Sequence, residues 1–101
     1  MFIDYDEIKN IGAIELNVLF KLVWECDVLG TLSSNRVGKV CEITGLNKYQ
    51  ARKVLAKLRE QGLIEFMGHS GLMINPNVIG TTTKKYFMKE RGELWAQLTK
   101  E

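Results

Sequence analysis

Apolar residues recur every three or four positions through Ile11, Ile14, Val18, Leu22 and Cys26, with Leu19 and Val23 beside them. That spacing predicts a helix from about Asp6 or Ile11 to Asp27. A second stripe, Leu16, Phe20 and Trp24, has i,i+4 spacing on another face. A helix apolar on two faces has to bury both. One face meets the domain core, and the other meets either the C-terminal helix or a second subunit. Ahead of this helix, Met1–Tyr5 reads as a short extended segment, and Gly30 closes the helix. Thr31–Ser33 reads as a short strand. Ser33 and Ser34 are N-cap types for a second helix over about Asn35–Thr44, with Val37, Val40 and Cys41 inward.

Gly45 interrupts, and Asn47 caps a third helix that runs to about Gln61. Gln50 stands in the capping-box position three residues after the cap. Ala51, Val54, Leu55 and Leu58 form the buried stripe, and Gly62 is a stop signal. Leu63–Met67 and Leu72–Asn75 then read as the two arms of a β-hairpin around Gly68-His69-Ser70-Gly71, and Pro76 ends the ladder. Gly80-Thr81-Thr82-Thr83 is a connector. A last helix is predicted over Lys84–Lys100, with Gly92 weakening its middle. The fold class is therefore mainly α with a small β-hairpin: a winged helix-turn-helix over 1–80 and a C-terminal helix over 81–101. Local spacing supports the motif beyond the order of elements. Cys41 is small where two helices approach. Gly45 sits four residues later in the turn, where a positive φ is often needed. Ala51 and Val54 follow on the inward face of the next helix.

In this motif the second helix enters the DNA major groove with its N-terminal residues. Here these are Asn47, Lys48, Tyr49, Arg52 and Lys53. With Ala51, Val54 and Leu58 inward, Tyr49, Lys53 and Ala56 point outward, Lys48 and Arg52 flank them, and Gln50 and Lys57 lie on the other flank. Arg and Lys suit guanine O6 and N7, and Asn or Gln suits adenine. Tyr49 can reach a phosphate or stack on a sugar. Arg36, Lys39, Lys57 and Arg59 suit the phosphate backbone, or simply solubility. His69, at the hairpin tip, is either a groove or phosphate contact or an inert turn residue.

Composition narrows the alternatives. The chain has 101 residues, 46% apolar and 26% charged, which is ordinary for one globular domain. The net charge of +2 hides an uneven distribution. Residues 1–30 carry two lysines against six acids, while residues 31–66 carry seven Lys or Arg against Glu42, Glu60 and Glu65. A basic middle third suggests a polyanion-facing surface. No apolar run approaches a membrane span, and no basic-then-apolar leader opens the chain. The expected setting is cytoplasmic, with no membrane contact. The two cysteines, Cys26 and Cys41, are expected reduced and buried. With them and the one histidine, a metal site from this chain alone is not expected. No Gly-rich phosphate loop and no metal-binding His-Glu spacing occurs. The Asp4, Asp6 and Glu7 carboxylates read as solvated. The chain is thus read as no enzyme, with no cofactor and no small-molecule ligand.

The stretch Val40–Pro76 resembles the winged-helix replication initiators of small plasmids, the RepL-type family. The match is carried by Lys57-Leu58-Arg59-Glu60-Gln61-Gly62-Leu63-Ile64 and by Gly71-Leu72-Met73-Ile74-Asn75-Pro76-Asn77-Val78-Ile79-Gly80. Ile14-Glu15-Leu16-Asn17-Val18-Leu19 fits the first helix of the same pattern. The Leu-x-x-x-Gly-Leu-Ile run is shared by many winged-helix regulators, including MarR-like ones, whereas Ile-Asn-Pro after the second hairpin strand is more specific. The family often continues with basic or aromatic residues where this chain has Gly80-Thr81-Thr82-Thr83. The resemblance implies a sequence-specific binder of double-stranded DNA, a plasmid or phage replication initiator or regulator. The alternatives are a small MarR-like transcriptional regulator and a winged helix used for protein–protein contact. Surplus apolar residues on the first helix (Leu16, Phe20, Trp24) and the last (Phe87, Leu94, Trp95, Leu98) lead to a further expectation. Either the last helix lies across the first, or the chain is a homodimer through both, with recognition helices ~34 Å apart on a palindromic site.

Overall fold

The structure is a computed structural model that describes residues 2–3, 11–27, 29–80 and 85–100, with side chains for 11–27, 29–78 and 89–100. The Asp4, Asp6 and Glu7 carboxylates, the Thr81–Thr83 connector and the Phe87 side chain lie outside the described residues. The chain is mainly helical with a small three-stranded antiparallel sheet. Strand β1 (Phe2–Ile3) precedes helix α1 (Ala13–Glu25), β2 (Thr31–Leu32), α2 (Arg36–Thr44) and α3 (Lys48–Glu60). Strands β3 (Ile64–Met67), β4 (Gly71–Ile74) and β5 (Ile79–Gly80) follow, and α4 (Lys85–Thr99) ends the order. The sheet order is β2-β4-β3, so the hairpin gains a third strand from Thr31 and Leu32. Ile64 pairs with Ile74, and Met67 pairs with Gly71. Strand β1 pairs antiparallel with β5.

The core lies where α1, α2 and α3 meet the sheet. Leu19, Leu22, Val40, Ala51, Leu58 and Leu72 are fully buried in it. On α1 the inward arc is Val18, Leu19, Leu22 and Val23. Ile14, expected on the inward stripe, is instead 61% exposed. At 3.6 residues per turn it stands about 110° from the centre of that arc, beyond the core's edge. The second stripe divides. Leu16 and Phe20 pack partly buried against the core, while Trp24, nearly opposite the inward arc, is 66% exposed. The last helix does not cover it. It lies against β3 and brings Arg91, buried, to the C-terminal end of α1 beside Cys26 and Asp27.

Two joints fix the central helices. Gly45 caps α2 with φ +77°, donating its N–H to the Cys41 carbonyl at 2.9 Å. A side chain at that φ is strained, which is why the turn takes glycine. At the end of α3, the Leu63 N–H reaches the Leu58 carbonyl at 3.0 Å and the Gly62 N–H reaches that of Arg59 at 3.0 Å. With Gly62 at φ +75°, this is a Schellman closure, and it turns the chain directly into β3.

The start of α2 corrects one expectation. Neither Ser33 nor Ser34 caps it. The N-cap is Asn35, at φ 58° and ψ 43°, with no side-chain cap bond. Its backbone is held from across the fold. The Asn35 N–H donates to Ser70 Oγ at 3.2 Å and the Arg36 N–H to the Ser70 carbonyl at 2.9 Å. The hairpin turn therefore supplies the acceptors that a local serine would otherwise provide.

Candidate nucleic-acid interface

Helix α3 presents its outer face because its inner face is fully committed. Ala51, Val54, Leu55 and Leu58 are buried, which turns Lys48, Tyr49, Arg52, Lys53 and Ala56 to solvent. The N-terminus that leads this face is closed by a complete capping box. Asn47 Oδ1 accepts from the Gln50 N–H at 2.8 Å, and Gln50 Oε1 accepts from the Asn47 N–H at 3.1 Å. Asn47 and Gln50 thus each commit one lone pair of the side-chain carbonyl oxygen to the cap, which fixes both side chains at the helix end.

The seven basic side chains of residues 31–66 fall into two groups. Four are tied into the protein. Arg36 donates to the Gly71 carbonyl at 2.8 Å, with its guanidinium 3.9 Å from the Phe66 ring centre. Arg59 lies 4.8 Å from the centre of the same ring and donates to Glu65 Oε1 at 2.6 Å. Two guanidiniums thus stack on Phe66, an arrangement that no spacing in the sequence announces. Lys39 pairs with Glu25 at 3.7 Å and Glu42 at 3.5 Å, and Lys57 pairs with Glu15 at 3.2 Å. Arg36, Lys39, Lys57 and Arg59 are therefore each engaged by a partner within the fold. The remaining three, Lys48, Arg52 and Lys53, make no ion pair among the described residues, and all three stand on the exposed face of α3. Lys53 Nζ lies 5.5 Å from the centre of the Tyr49 ring, itself 69% exposed.

Arg52 and His69, far apart in the sequence, come together. Both line one recess of about 240 Å³, with Asn35, Arg36, Val37 and Ser70. The hairpin turn, Gly68–Ser70, is therefore beside the leading half of α3 rather than on another side of the molecule. Gly71 lets the hairpin close against the end of β2. A Cβ there would stand 2.6 Å from the Leu32 carbonyl oxygen, 2.8 Å from that of Met67 and 2.9 Å from that of Ser33. All three are backbone atoms, so only glycine fits. Asn75, in the Ile-Asn-Pro run, also has a structural task. Its Nδ2 donates to the Gly62 carbonyl at 2.9 Å and its Oδ1 accepts from the Asn77 N–H at 2.9 Å, tying the second hairpin strand to the end of α3.

Three groups near α1 have displaced protonation. A backbone hydrogen bond and, less strongly, Lys57 hold the Glu15 carboxyl below its ordinary range, against the opposing effect of its burial. Burial, with Asp27 and Glu25 adding to it and Arg91 opposing, pushes the Cys26 thiol up to about 12. A thiol so placed is protonated at neutral pH and unreactive. Burial lowers the Arg91 value, and Asp27 and Cys26 partly restore it.

Comparison of the chain with known protein families, curated proteins and solved structures returns no match. No helix among the described residues is long and apolar enough to cross a membrane, and no group of three His, Cys, Asp or Glu side chains able to hold a metal ion occurs among them.

Proposed function

We propose that the chain is a winged helix-turn-helix protein that binds double-stranded DNA, with α2, the Gly45 turn and α3 as the motif and the β3–β4 hairpin as its wing. The reading rests above all on one observation. Of the seven cations in residues 31–66, the three that make neither an ion pair nor a hydrogen bond among the described residues all stand on the exposed face of α3, at the helix end that leads into a major groove in this motif. Arg52 is the base-reading candidate, Lys48 and Lys53 serve phosphates or guanines, and Tyr49 stacks on a sugar or reaches a phosphate. His69 of the wing, sharing a recess with Arg52, adds a backbone contact on the same side. Asn47 and Gln50 set the helix end rather than read bases. Arg36 and Arg59 hold the wing through Phe66.

Arg52→Ala should weaken binding to a preferred duplex by ~1–3 kcal/mol and relax the preference at one base pair, whereas Lys48→Ala should weaken all duplexes alike. Fluorescence anisotropy with a panel of selected duplexes measures both. Equal binding by wild type, Arg52→Ala and Lys53→Ala would remove α3 from the interface. The resemblance of residues 57–64 and 71–80 to RepL-type initiators supports a replication role for this binding. A footprint inside a plasmid or phage origin supports it, and one confined to promoters favours a transcriptional regulator.

A further inference from the structure

Three elements meet at the recess of about 240 Å³ beside the leading half of α3. Asn35 and Arg36 come from the start of α2, Arg52 from α3, and His69 and Ser70 from the hairpin turn. Backbone bonds fix its shape. Ser70 takes the Asn35 N–H on its Oγ at 3.2 Å and the Arg36 N–H on its carbonyl at 2.9 Å, and the Arg36 guanidinium holds the Gly71 carbonyl at 2.8 Å. The hairpin turn is thereby tied to α2 in front of Arg52.

The chemistry of the recess is one-sided. Arg36 faces it from α2 and Arg52 from α3, and no carboxylate lines it. Glu65, on β3, is held by Arg59 at 2.6 Å and stands outside the lining. Arg52 makes no hydrogen bond or ion pair among the described residues. Ser70 Oγ accepts from Asn35, so its own hydrogen remains to be donated. The Asn35 side chain makes no cap bond and keeps its amide donors. His69, exposed in the turn, is the one histidine of the chain. Every polar side chain here can donate, and the charges are positive, which suits a compact anion.

We propose that this recess takes one backbone phosphate of a bound duplex and that His69 holds it as the imidazolium, so that DNA affinity rises as pH falls. The inference rests on the DNA-binding reading above and adds to it a protonation switch. A neutral imidazole donates one N–H, and the imidazolium donates two and carries a charge. Histidine ordinarily changes charge between about pH 5 and 8. A phosphate seated among Arg36, Arg52 and His69 favours the charged imidazole, because an opposite charge close by favours the ionised form. Binding therefore takes up a proton. Arg52, with five N–H donors, serves this phosphate and the neighbouring base together.

Fluorescence anisotropy of the full chain with a preferred duplex is the test, run across a range of salt at about pH 5.5 and about pH 8, either side of the range in which histidine changes charge. The wild type should bind more tightly at the lower pH. Its slope of log K against log salt should be steeper there by about 0.9, the contribution of one further neutralised phosphate. His69→Gln should bind like the wild type at the higher pH and lose the change in slope. His69→Arg should show the steeper slope at both. Circular dichroism melting at each pH checks that the variants, altered at an exposed turn position, remain folded. A salt-dependent wild type with the same slope at both pH values, or a pH-dependent slope that survives in folded His69→Gln, would overturn the switch and leave the DNA-binding reading standing. A chain that binds no duplex at either pH would overturn both.

Discussion

Single residues carry more of this structure through backbone and charge geometry than through bulk. Gly45 is the clearest case. A Cβ there would meet nothing within 4 Å, so space is not the constraint, and φ +77° is. Gly45→Val should cost ~1–3 kcal/mol from backbone strain alone, read as a lower midpoint in thermal or urea unfolding. An unchanged midpoint would contradict a positive φ at Gly45. Glu15 gives a pH prediction. Its folded pKa is depressed below the ordinary 4.5, so its contribution is fully present above that value and is lost as pH falls through the folded pKa. Glu15→Gln should therefore destabilise the protein at pH 7, by about 1 kcal/mol or less for an ion pair and helix-end charge of this kind. The gap from wild type should close in acid. Melting curves at neutral and acidic pH decide it, and a gap that widens in acid would contradict the assignment.

At the scale of elements, α3 was legible in the sequence because everything that shapes it is local. The cap, the capping-box partner, the buried stripe and the stop at Gly62 all lie within sixteen residues, from Asn47 to Gly62. Asn47→Ala should lose the capping box and cost ~1 kcal/mol, visible as reduced helicity at α3 and a lower melting temperature. Helix α2 was only partly legible. Its C-terminal glycine could be read, but its N-terminal acceptors come from Ser70, 35 residues away, and no local pattern contains that. Arg36 follows from the same fact. By sequence it is one more cation on a basic stretch, but in the fold it clamps Gly71 and stacks on Phe66. Arg36→Ala should loosen the hairpin, raising amide exchange across β3 and β4 and lowering stability by ~1–3 kcal/mol. Exchange left unchanged in β4 would show that the clamp contributes nothing.

For the whole molecule, charge counting marks residues 31–66 as basic but does not say which of their cations the fold ties down. Seven basic residues in 31–66 suggest a broad polyanion surface. Folding pairs or stacks four of them and leaves Lys48, Arg52 and Lys53 on one face of α3. Which cations are consumed depends on contacts such as Lys57 with Glu15, between helices far apart in sequence, and is invisible to spacing. The same limit applies to Trp24. Its stripe could be read, but that Leu16 and Phe20 would tuck inward and leave the indole outside depends on how the core closes around α1. The central claim, that those three side chains carry DNA binding, is tested most directly by the salt dependence of affinity for a short duplex. Each phosphate neutralised adds about −0.9 to the slope of log K against log salt. The wild type should give a linear, clearly negative slope. Lys48→Ala should flatten it by about 1, and Lys39→Ala, which removes a cation already held by Glu25 and Glu42, should leave it unchanged. A flat wild-type slope, or one that Lys39→Ala reduces and Lys48→Ala does not, would contradict the account.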